Sequence, residues 1–274
     1  MLQALDRAAG LFVFAVLAAF FFAYLGRLAL AGRARSERTD RAGGSALLGK
    51  TALEFGYWSM GPVGRGLAAA GLTPNMLSWT SLVLGAAAAT SIAAGLFGIA
   101  YFTAAISGVL DTLDGMVARL TGLSSEAGEV LDATIDRYVE GLFCAGAALY
   151  FRDTPVLAAI ALMALIGCFM VSYSTAKAEA MGVEPPKGMM RRQERAIYLT
   201  LGVGLTALLG PWLDGRLPRT GVALPLTVAL AIVGGLSNVA AIRRMRLLAA
   251  TLRARERATT RDPIEAPAEF APHV

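Results

Sequence analysis

Long apolar runs separated by short polar segments dominate this chain of 274 residues. The first run, residues 11–31, contains a single charged side chain, Arg27. Because a helix rises about 1.5 Å per residue, roughly 20 such residues cross the hydrocarbon layer of a bilayer. The composition agrees, since 56% of the residues are hydrophobic and 16% are charged, whereas soluble domains carry about 25% charged residues. The sequence therefore predicts an all-α integral membrane protein.

An amphipathic stretch, residues 51–71, follows the first span and is too polar to cross the membrane. Its aromatic residues, including Tyr57 and Trp58, are typical of the headgroup region, which favours an interfacial helix over a connecting loop. Thr73 is a plausible N-cap, and Pro74 suits the first turn of the next helix. From there we expect six further spans, at 74–95, 98–120, 127–151, 155–180, 194–212 and 221–247. The chain thus divides into an extra N-terminal span with a basic loop (1–50), a membrane domain (51–248) and a tail expected to be disordered (249–274).

Basic residues concentrate at alternate ends of the predicted spans, as in the arginine-rich segment 33–41. Because Lys and Arg accumulate on the cytoplasmic side, the N-terminus is expected outside and the C-terminus inside. A signal peptide cleaved after residue 31 is the alternative for the first run, but Asp6 offsets Arg7 in its would-be basic region. The net charge of +5 is explained by this orientation and by attraction to anionic lipid, so no nucleic-acid partner is invoked.

Acidic residues break the apolar pattern of the second and third core spans. Asp111 and Asp114 are spaced i, i+3, and Asp132 and Asp136 are spaced i, i+4, so each pair occupies one face of its helix. Intramembrane charges are costly and require compensation. The two spans are antiparallel neighbours, so we expect the pairs to form one four-carboxylate cluster that binds Mg²⁺ or Mn²⁺. The single histidine, His273, lies in the polar tail, which excludes a Ser-His-Asp triad and a His-ligated zinc site.

Small residues beside the acidic pairs leave helix surface open to a planar ligand. These are Gly115 and Ala118 on the first helix and Gly128 on the second, and Arg119 adds a donor fork suited to phosphate. The segment Asp-Thr-Leu-Asp-Gly-Met-Val-Ala-Arg (111–119), eight further residues, and Gly-Glu-Val-Leu-Asp-Ala-Thr-Ile-Asp (128–136) resembles, without gap or substitution, the signature of the CDP-alcohol phosphatidyltransferases. The resemblance extends from about residue 51 to 248, and the extra N-terminal span departs from the usual pattern.

The resemblance implies a reaction and a division of roles. The expected enzyme transfers a phosphatidyl group from CDP-diacylglycerol, or a related CDP-linked lipid, to an alcohol and releases CMP. It implies two divalent ions held by the four aspartates, with Asp136 also the general base, and a cytidine nucleotide against Gly115, Ala118, Arg119 and Gly128. It also implies a homodimer in a bacterial inner membrane with its active site facing the cytoplasm. Small residues that could pack between subunits are Gly85, Ala89, Gly95, Gly141, Ala145 and Gly202.

A basic cluster at the cytoplasmic ends of the later spans bears on the acceptor. Its stretch Ala-Lys-Ala-Glu-x-x-Gly (176–182) followed by Glu-Arg (194–195) partly resembles the phosphatidylinositol phosphate synthase branch, which implies inositol 1-phosphate as acceptor. The candidate ligands of the acceptor phosphate are Arg137, Lys177, Arg191, Arg192 and Arg195. Positive-inside anchoring alone would also place basic residues here. Glycerol 3-phosphate or an unphosphorylated alcohol are the alternative acceptors.

Two functions outside this family also place charges in membrane helices. A cation-coupled transporter uses carboxylates near the membrane midplane between inverted repeats, but here the acids cluster toward one face and no repeated half is present. A scaffold protein has no use for four intramembrane aspartates. The enzyme is therefore the favoured hypothesis, and metal-dependent CMP release distinguishes it from both alternatives.

Overall fold

The structure, a computed structural model, describes residues 1–31, 50–185, 188–214 and 218–261. Predictions for the basic loop after the first span and for residues 262–274 fall outside these ranges. The described residues fold into α1 (Leu2–Ala31), α2 (Lys50–Ala69), α3 (Pro74–Ala94), α4 (Phe97–Thr121), α5 (Glu126–Tyr150), α6 (Pro155–Ala180), α7 (Arg192–Leu213), the short α8 (Arg219–Val222) and α9 (Leu224–Arg261).

The first core helix, α3, begins and ends where its sequence predicts. The hydroxyl of Thr73 accepts a hydrogen bond from the backbone N–H of Met76 at 3.3 Å, and Pro74 occupies the first turn. Gly95 ends the helix in the left-handed conformation, with φ of 77°, which a residue without Cβ adopts at little cost. The stretch before α3 is the helix α2, as expected, and the loop alternative for it is wrong.

Among the described residues, five helices are long and apolar enough to cross a membrane: α1, α3, α6, α7 and α9. The helices α4 and α5 carry the acidic residues, which lower their hydropathy, although each has 25 residues. At about 1.5 Å per residue, that length also matches the hydrocarbon thickness. The described chain is thus an all-helical integral membrane protein, as the sequence predicts.

Small residues allow the core helices to approach closely. A Cβ added to Gly146 of α5 would lie 2.3 Å from the backbone oxygen of Ala89 on α3, and one added to Gly234 of α9 would lie 3.0 Å from the backbone nitrogen of Ala164 on α6. Helices in lipid associate through such tight packing, because apolar side chains gain little by leaving a lipid environment. As a result α3 packs against both α4 and α5, which positions the two acidic helices.

The last helix is longer than predicted. It continues to Arg261, so the part of the expected disordered tail from 249 to 261 is helical. Its continuation includes Arg253, Arg255 and Arg257, which are exposed. Straight-chain residues such as arginine favour helix, and an existing helix extends more readily than a new one nucleates.

Candidate active site

The acidic pairs of α4 and α5 meet, as the spacing predicts. One carboxylate oxygen each from Asp111, Asp114 and Asp132 lie within 4.8 Å of one another. Neither helix alone could bring three carboxylates so close, because α4 supplies two of them and α5 supplies the third. The fourth aspartate, Asp136, lies one turn further along α5 and is 8% exposed.

A buried serine orients the deepest aspartate of this cluster. Asp114 is 5% exposed, and its Oδ2 accepts a hydrogen bond of 2.6 Å from the hydroxyl of Ser78 on α3. A charged acceptor strengthens such a bond and fixes the carboxylate rotamer. Sequence reasoning missed Ser78, and no signal distinguished it, because the same helix also carries Thr80 and Ser81 within one turn.

An arginine from a third helix joins the carboxylates. The guanidinium of Arg192, the first residue of α7, donates to Asp111 and forms ion pairs with both Asp111 and Asp136. Arg192 thereby bridges one acidic residue of α4 and one of α5. This contact brings one of the predicted acceptor ligands directly beside the predicted general base.

The donor set fits a divalent metal ion. It consists of carboxylate oxygens, which are the ligands that Mg²⁺ and Mn²⁺ prefer. Within the described part of the chain, the buried Oδ1 of Asp132 has no hydrogen-bond partner. A buried acceptor without a partner is costly, and coordination to a cation would satisfy it.

The residues expected to hold the nucleotide lie at the junction of α4 and α5. A Cβ on Gly115 would lie 3.2 Å from Nη1 of Arg119, so the glycine leaves room for that guanidinium. Ala118 lies between these two residues on the same helix, in its last turns. The backbone N–H of Gly128 donates to the Ser125 hydroxyl at 3.1 Å, which caps α5. All four residues therefore lie at the end of the bundle that carries the aspartates.

Arg195 has a different environment from the other basic candidates. It is 1% exposed, and its Nε and Nη2 donate to the two carboxylate oxygens of Glu140 at 2.6 and 2.9 Å. Its Nη1 donates to the backbone oxygen of Met190 at 2.8 Å. Because all three nitrogens already donate to protein acceptors, the expectation that Arg195 binds the acceptor phosphate directly is not supported by its geometry. Arg195 instead joins α7 to α5 and to the segment before α7.

The remaining basic candidates are more open. Arg191 and Lys177 are exposed and half-buried, respectively. The half-buried Arg137 donates from Nη1 to the backbone oxygen of Ala133 at 2.6 Å. These three residues therefore leave charge available near the end of the bundle to which Arg192 belongs.

Sequence reasoning treated Arg244 only as an orientation signal, yet it is 8% exposed. Its Nη1 donates to the Thr175 hydroxyl at 3.2 Å and its Nη2 to the backbone oxygen of Met189 at 3.1 Å. These bonds tie α9 to α6 and to the segment that precedes α7. In the sequence Arg244 lies between Arg243 and Arg246 at the end of the predicted span, so nothing there distinguishes it from an orientation signal.

Comparison with known proteins assigns the family. A sequence model described as CDP-alcohol phosphatidyltransferase matches residues 71–234. The phosphatidylinositol phosphate synthase of Mycolicibacterium smegmatis is 35% identical over 191 residues, which cover 66% of this chain and 82% of that protein. The bifunctional IPC transferase and DIPP synthase of Rubrobacter xylanophilus is 34% identical over 175 residues, which cover 64% of this chain and 38% of that protein.

A solved structure shares the fold. The crystal structure of Mycobacterium tuberculosis phosphatidylinositol phosphate synthase with CDP-DAG bound is 26% identical and aligns with a TM-score of 0.59, covering 69% of this chain and 92% of that one. The acidic signature lies inside the range that the family model matches, and three of its carboxylates converge in the structure. This chain therefore belongs to the CDP-alcohol phosphatidyltransferase family and is a metal-dependent membrane enzyme.

Proposed function

We propose that this enzyme transfers a phosphatidyl group from CDP-diacylglycerol, or a related CDP-linked lipid, to inositol 1-phosphate and releases CMP. The observation that carries the proposal is the contact between Arg192 and Asp136. It joins a cation suited to a phosphorylated acceptor to the carboxylate suited to deprotonate that acceptor. The names of the Mycolicibacterium smegmatis relative and of the Mycobacterium tuberculosis structure support the same acceptor.

The four aspartates have separable roles in this reaction. Asp111, Asp114, Asp132 and Asp136 would hold the divalent ions, which when bound neutralise negative charge on the pyrophosphate and on the departing CMP. Ser78 keeps the Asp114 carboxylate oriented through its 2.6 Å hydrogen bond. Asp136 accepts the proton of the acceptor hydroxyl. The acceptor oxygen then bonds to the phosphorus that carries the diacylglycerol, and the bond from that phosphorus to CMP breaks.

The basic residues around Asp136 select a phosphorylated acceptor. We assign the acceptor phosphate to Arg137, Lys177, Arg191 and Arg192, which provide several donors at one end of the bundle. Guanidinium groups bind phosphate through paired hydrogen bonds, and a neutral alcohol would leave those donors without a partner. Glycerol 3-phosphate shares the phosphate and is the alternative acceptor. The family assignment favours an enzyme over the transporter and scaffold alternatives.

We place the active site on the cytoplasmic side of a bacterial inner membrane. The end of the bundle that carries the aspartates also carries Arg119, Lys177, Arg191 and Arg246, and basic residues accumulate on the cytoplasmic side. A soluble acceptor would then reach the site from the cytosol, while the lipid substrate stays in the bilayer. Cysteine labelling of Arg119→Cys from either side of oriented vesicles tests this orientation, and labelling from outside only would contradict it.

We also propose a homodimer. Three of the small residues expected at its interface instead pack within the chain. Ala89 lies against Gly146, an added Cβ on Gly85 would approach Val139, and one on Gly202 would approach Ala229. Gly141 and Ala145, in contrast, line an open groove of about 750 Å³ between α5 and α6. We assign this groove to the second subunit. Native mass spectrometry from mild detergent should show a dimer that Ala145→Trp converts to a monomer, and a monomeric parent protein would contradict the proposal.

An acceptor panel tests the proposed reaction. Purified enzyme in mixed micelles receives radiolabelled CDP-diacylglycerol with inositol 1-phosphate, glycerol 3-phosphate, free inositol or serine, in the presence of Mg²⁺ or Mn²⁺. We expect the lipid product and CMP to form best with inositol 1-phosphate, and the reaction to stop when EDTA is added. Product with unphosphorylated acceptors alone would overturn the acceptor assignment and leave the phosphatidyl transfer intact. Absence of CMP release with every acceptor would overturn both.

A further inference from the structure

The helices α1 and α2 lie outside the range that the family model matches, which begins at residue 71. Yet α1 packs along α4, the helix that carries Asp111 and Asp114, and it also contacts α2 and α7. These contacts differ along the length of α1, and they indicate its role.

The beginning of α1 is fastened to the beginning of α4. The carboxylate of Asp6 accepts a hydrogen bond of 2.8 Å from the backbone N–H of Ile99, in the first turn of α4. The N-cap residue of α4, Leu96, offers no side-chain hydrogen bond of its own. A Cβ added to Gly98 would lie 1.8 Å from the backbone oxygen of Asp6, so the absence of a side chain at Gly98 permits the contact.

The middle of α1 belongs to the same core as α4. Val13 is buried among the residues that surround Tyr101, and the rings of Phe14 and Tyr101 lie 4.9 Å apart. Residues early in α1 therefore contact residues early in α4, and the two helices run in the same direction. This direction carries the end of α1 toward the level of the aspartates.

At the level of the aspartates, the end of α1 packs against α2. Tyr24 is 2% exposed and Glu54 is 7% exposed, and the Tyr24 hydroxyl donates to Oε2 of Glu54 at 3.4 Å. The Tyr24 ring lies 5.5 Å from the rings of both Phe55 and Trp58. Arg27, one turn further along, stacks over Trp58 at 5.9 Å. A buried carboxylate in this aromatic setting depends on its polar partner.

The other side of α2 packs on α4 directly around Asp114. Met60 and Leu67 of α2 contact the apolar cluster formed by Leu113 and Val117, which flank Asp114 in the sequence and are almost fully buried. A Cβ on Gly64 would lie 2.5 Å from the sulfur of Met116, so α2 lies close against this helix. Any shift of α2 would therefore displace the turn of α4 that carries Asp111 and Asp114.

We propose that α1 is a brace that holds α2 against α4, and that Tyr24 and Glu54 are positioning residues for the metal-binding carboxylates. This inference rests on the proposed function only for the reaction that the metal-binding carboxylates support. The brace acts at both ends, because Asp6 fixes α1 to α4 and Tyr24 fixes α1 to α2. A displaced α2 would leave Asp111 and Asp114 less well aligned with Asp132, and the metal ion would bind more weakly.

Binding of Mn²⁺ alone tests the brace without requiring turnover. The full-length protein in nanodiscs is titrated with Mn²⁺, and the free ion is measured by its electron paramagnetic resonance signal. We examine Tyr24→Phe, which removes the hydroxyl donor, and Glu54→Leu, which removes the carboxylate acceptor. Their double variant is measured as well, together with Gly98→Ala, which forces the first turn of α4 away from α1. Matched controls are Gly108→Ala, where an added Cβ meets open space on the same helix, and Phe22→Leu, whose side chain is 69% exposed on α1.

We expect each brace variant to weaken Mn²⁺ binding by about threefold to tenfold, the range that loss of one buried hydrogen bond produces. The double variant should match the single variants, because the two residues act as one unit. The controls should bind Mn²⁺ as the parent does. Variants that melt at a lower temperature but bind Mn²⁺ with parental affinity would overturn the proposal, since α1 would then only stabilise the fold. If Gly98→Ala fails to fold, Tyr24→Phe and Glu54→Leu still decide the question.

Enzyme kinetics separate this inference from the proposed function. If the parent transfers a phosphatidyl group, the brace variants should regain most of their rate when Mn²⁺ is raised to saturation, while a merely less stable enzyme would not. A parent without any turnover would overturn the proposed function, and the Mn²⁺ titration would still test the brace. Parental Mn²⁺ affinity in every brace variant of an active enzyme would overturn the brace alone.

Discussion

The guanidinium of Arg192 forms an ion pair with the carboxylate of Asp136, and it reaches Asp111 with the same group. The pair joins the start of α7 to the middle of α5. Asp136 is mostly buried, so its charge needs a nearby cation, and Arg192 supplies one from the side on which the basic cluster lies. In the proposed reaction, the carboxylate that accepts the proton and a cation that binds the acceptor phosphate are therefore in direct contact.

Asp136→Asn should abolish turnover while CDP-lipid binding remains measurable. The amide cannot accept the acceptor's proton, whereas Asp111, Asp114 and Asp132 still form their cluster. Turnover is followed as CMP release, and lipid binding by displacement of a radiolabelled CDP-lipid. Asp114→Asn is the comparison and should weaken Mn²⁺ and nucleotide binding together. An equal loss of nucleotide affinity in both variants would contradict this division of roles.

Ser78→Ala should weaken metal binding without unfolding the protein. The substitution removes the 2.6 Å hydrogen bond to Asp114, and a bond to a charged group contributes about 1.5 to 3 kcal/mol, or about one to two decades in affinity. Thr90→Ala is the control, because the Thr90 hydroxyl donates only to a backbone oxygen of its own helix and is exposed. The measurement is a Mn²⁺ titration at matched protein concentration. Parental affinity in Ser78→Ala would show that Asp114 does not need this partner.

Arg195→Ala should destabilise the fold strongly. It leaves Glu140 without the two hydrogen bonds that Arg195 donates, and breaking a buried ion pair costs about 3 to 5 kcal/mol. Arg152→Ala is the control, because Arg152 and Asp153 form an exposed pair and such pairs contribute less than about 1 kcal/mol. Thermal unfolding in detergent gives the comparison. The double variant Arg195→Ala with Glu140→Ala should recover part of the loss, because no buried carboxylate is then left unpaired.

Lys177→Ala and Arg191→Ala should raise the KM of the acceptor more than that of the CDP-lipid. Each removes a donor that we assign to the acceptor phosphate, and a lost charge-assisted hydrogen bond changes affinity by about one to two decades. Arg246→Ala is the control, since Arg246 lines a separate groove between α6 and α9. Initial rates are measured with each substrate varied in turn. Equal increases in both KM values would indicate that these residues set membrane orientation rather than acceptor binding.

Features that depend on neighbours along the chain could be predicted from the amino-acid sequence alone. Helical periodicity places Asp111 beside Asp114 and Asp132 beside Asp136, whatever the rest of the molecule does. The cap at Thr73 and the helix end at Gly95 follow from side-chain and backbone properties of a few consecutive residues. Because a charged side chain is costly to bury in lipid, the acidic residues within apolar spans indicated a functional site.

Contacts between distant segments depend instead on how the helices pack. Ser78 and Asp114 are 36 residues apart, and Glu140 and Arg195 are 55 apart. Sequence spacing carries no information on such pairs, because helix packing sets which faces meet, and that packing depends on close approaches such as Gly146 against Ala89. For the same reason the sequence placed Arg195 among the acceptor ligands, whereas packing makes it a buried partner of Glu140. Packing likewise places the extra N-terminal span, α1, against α4, the helix that carries Asp111 and Asp114.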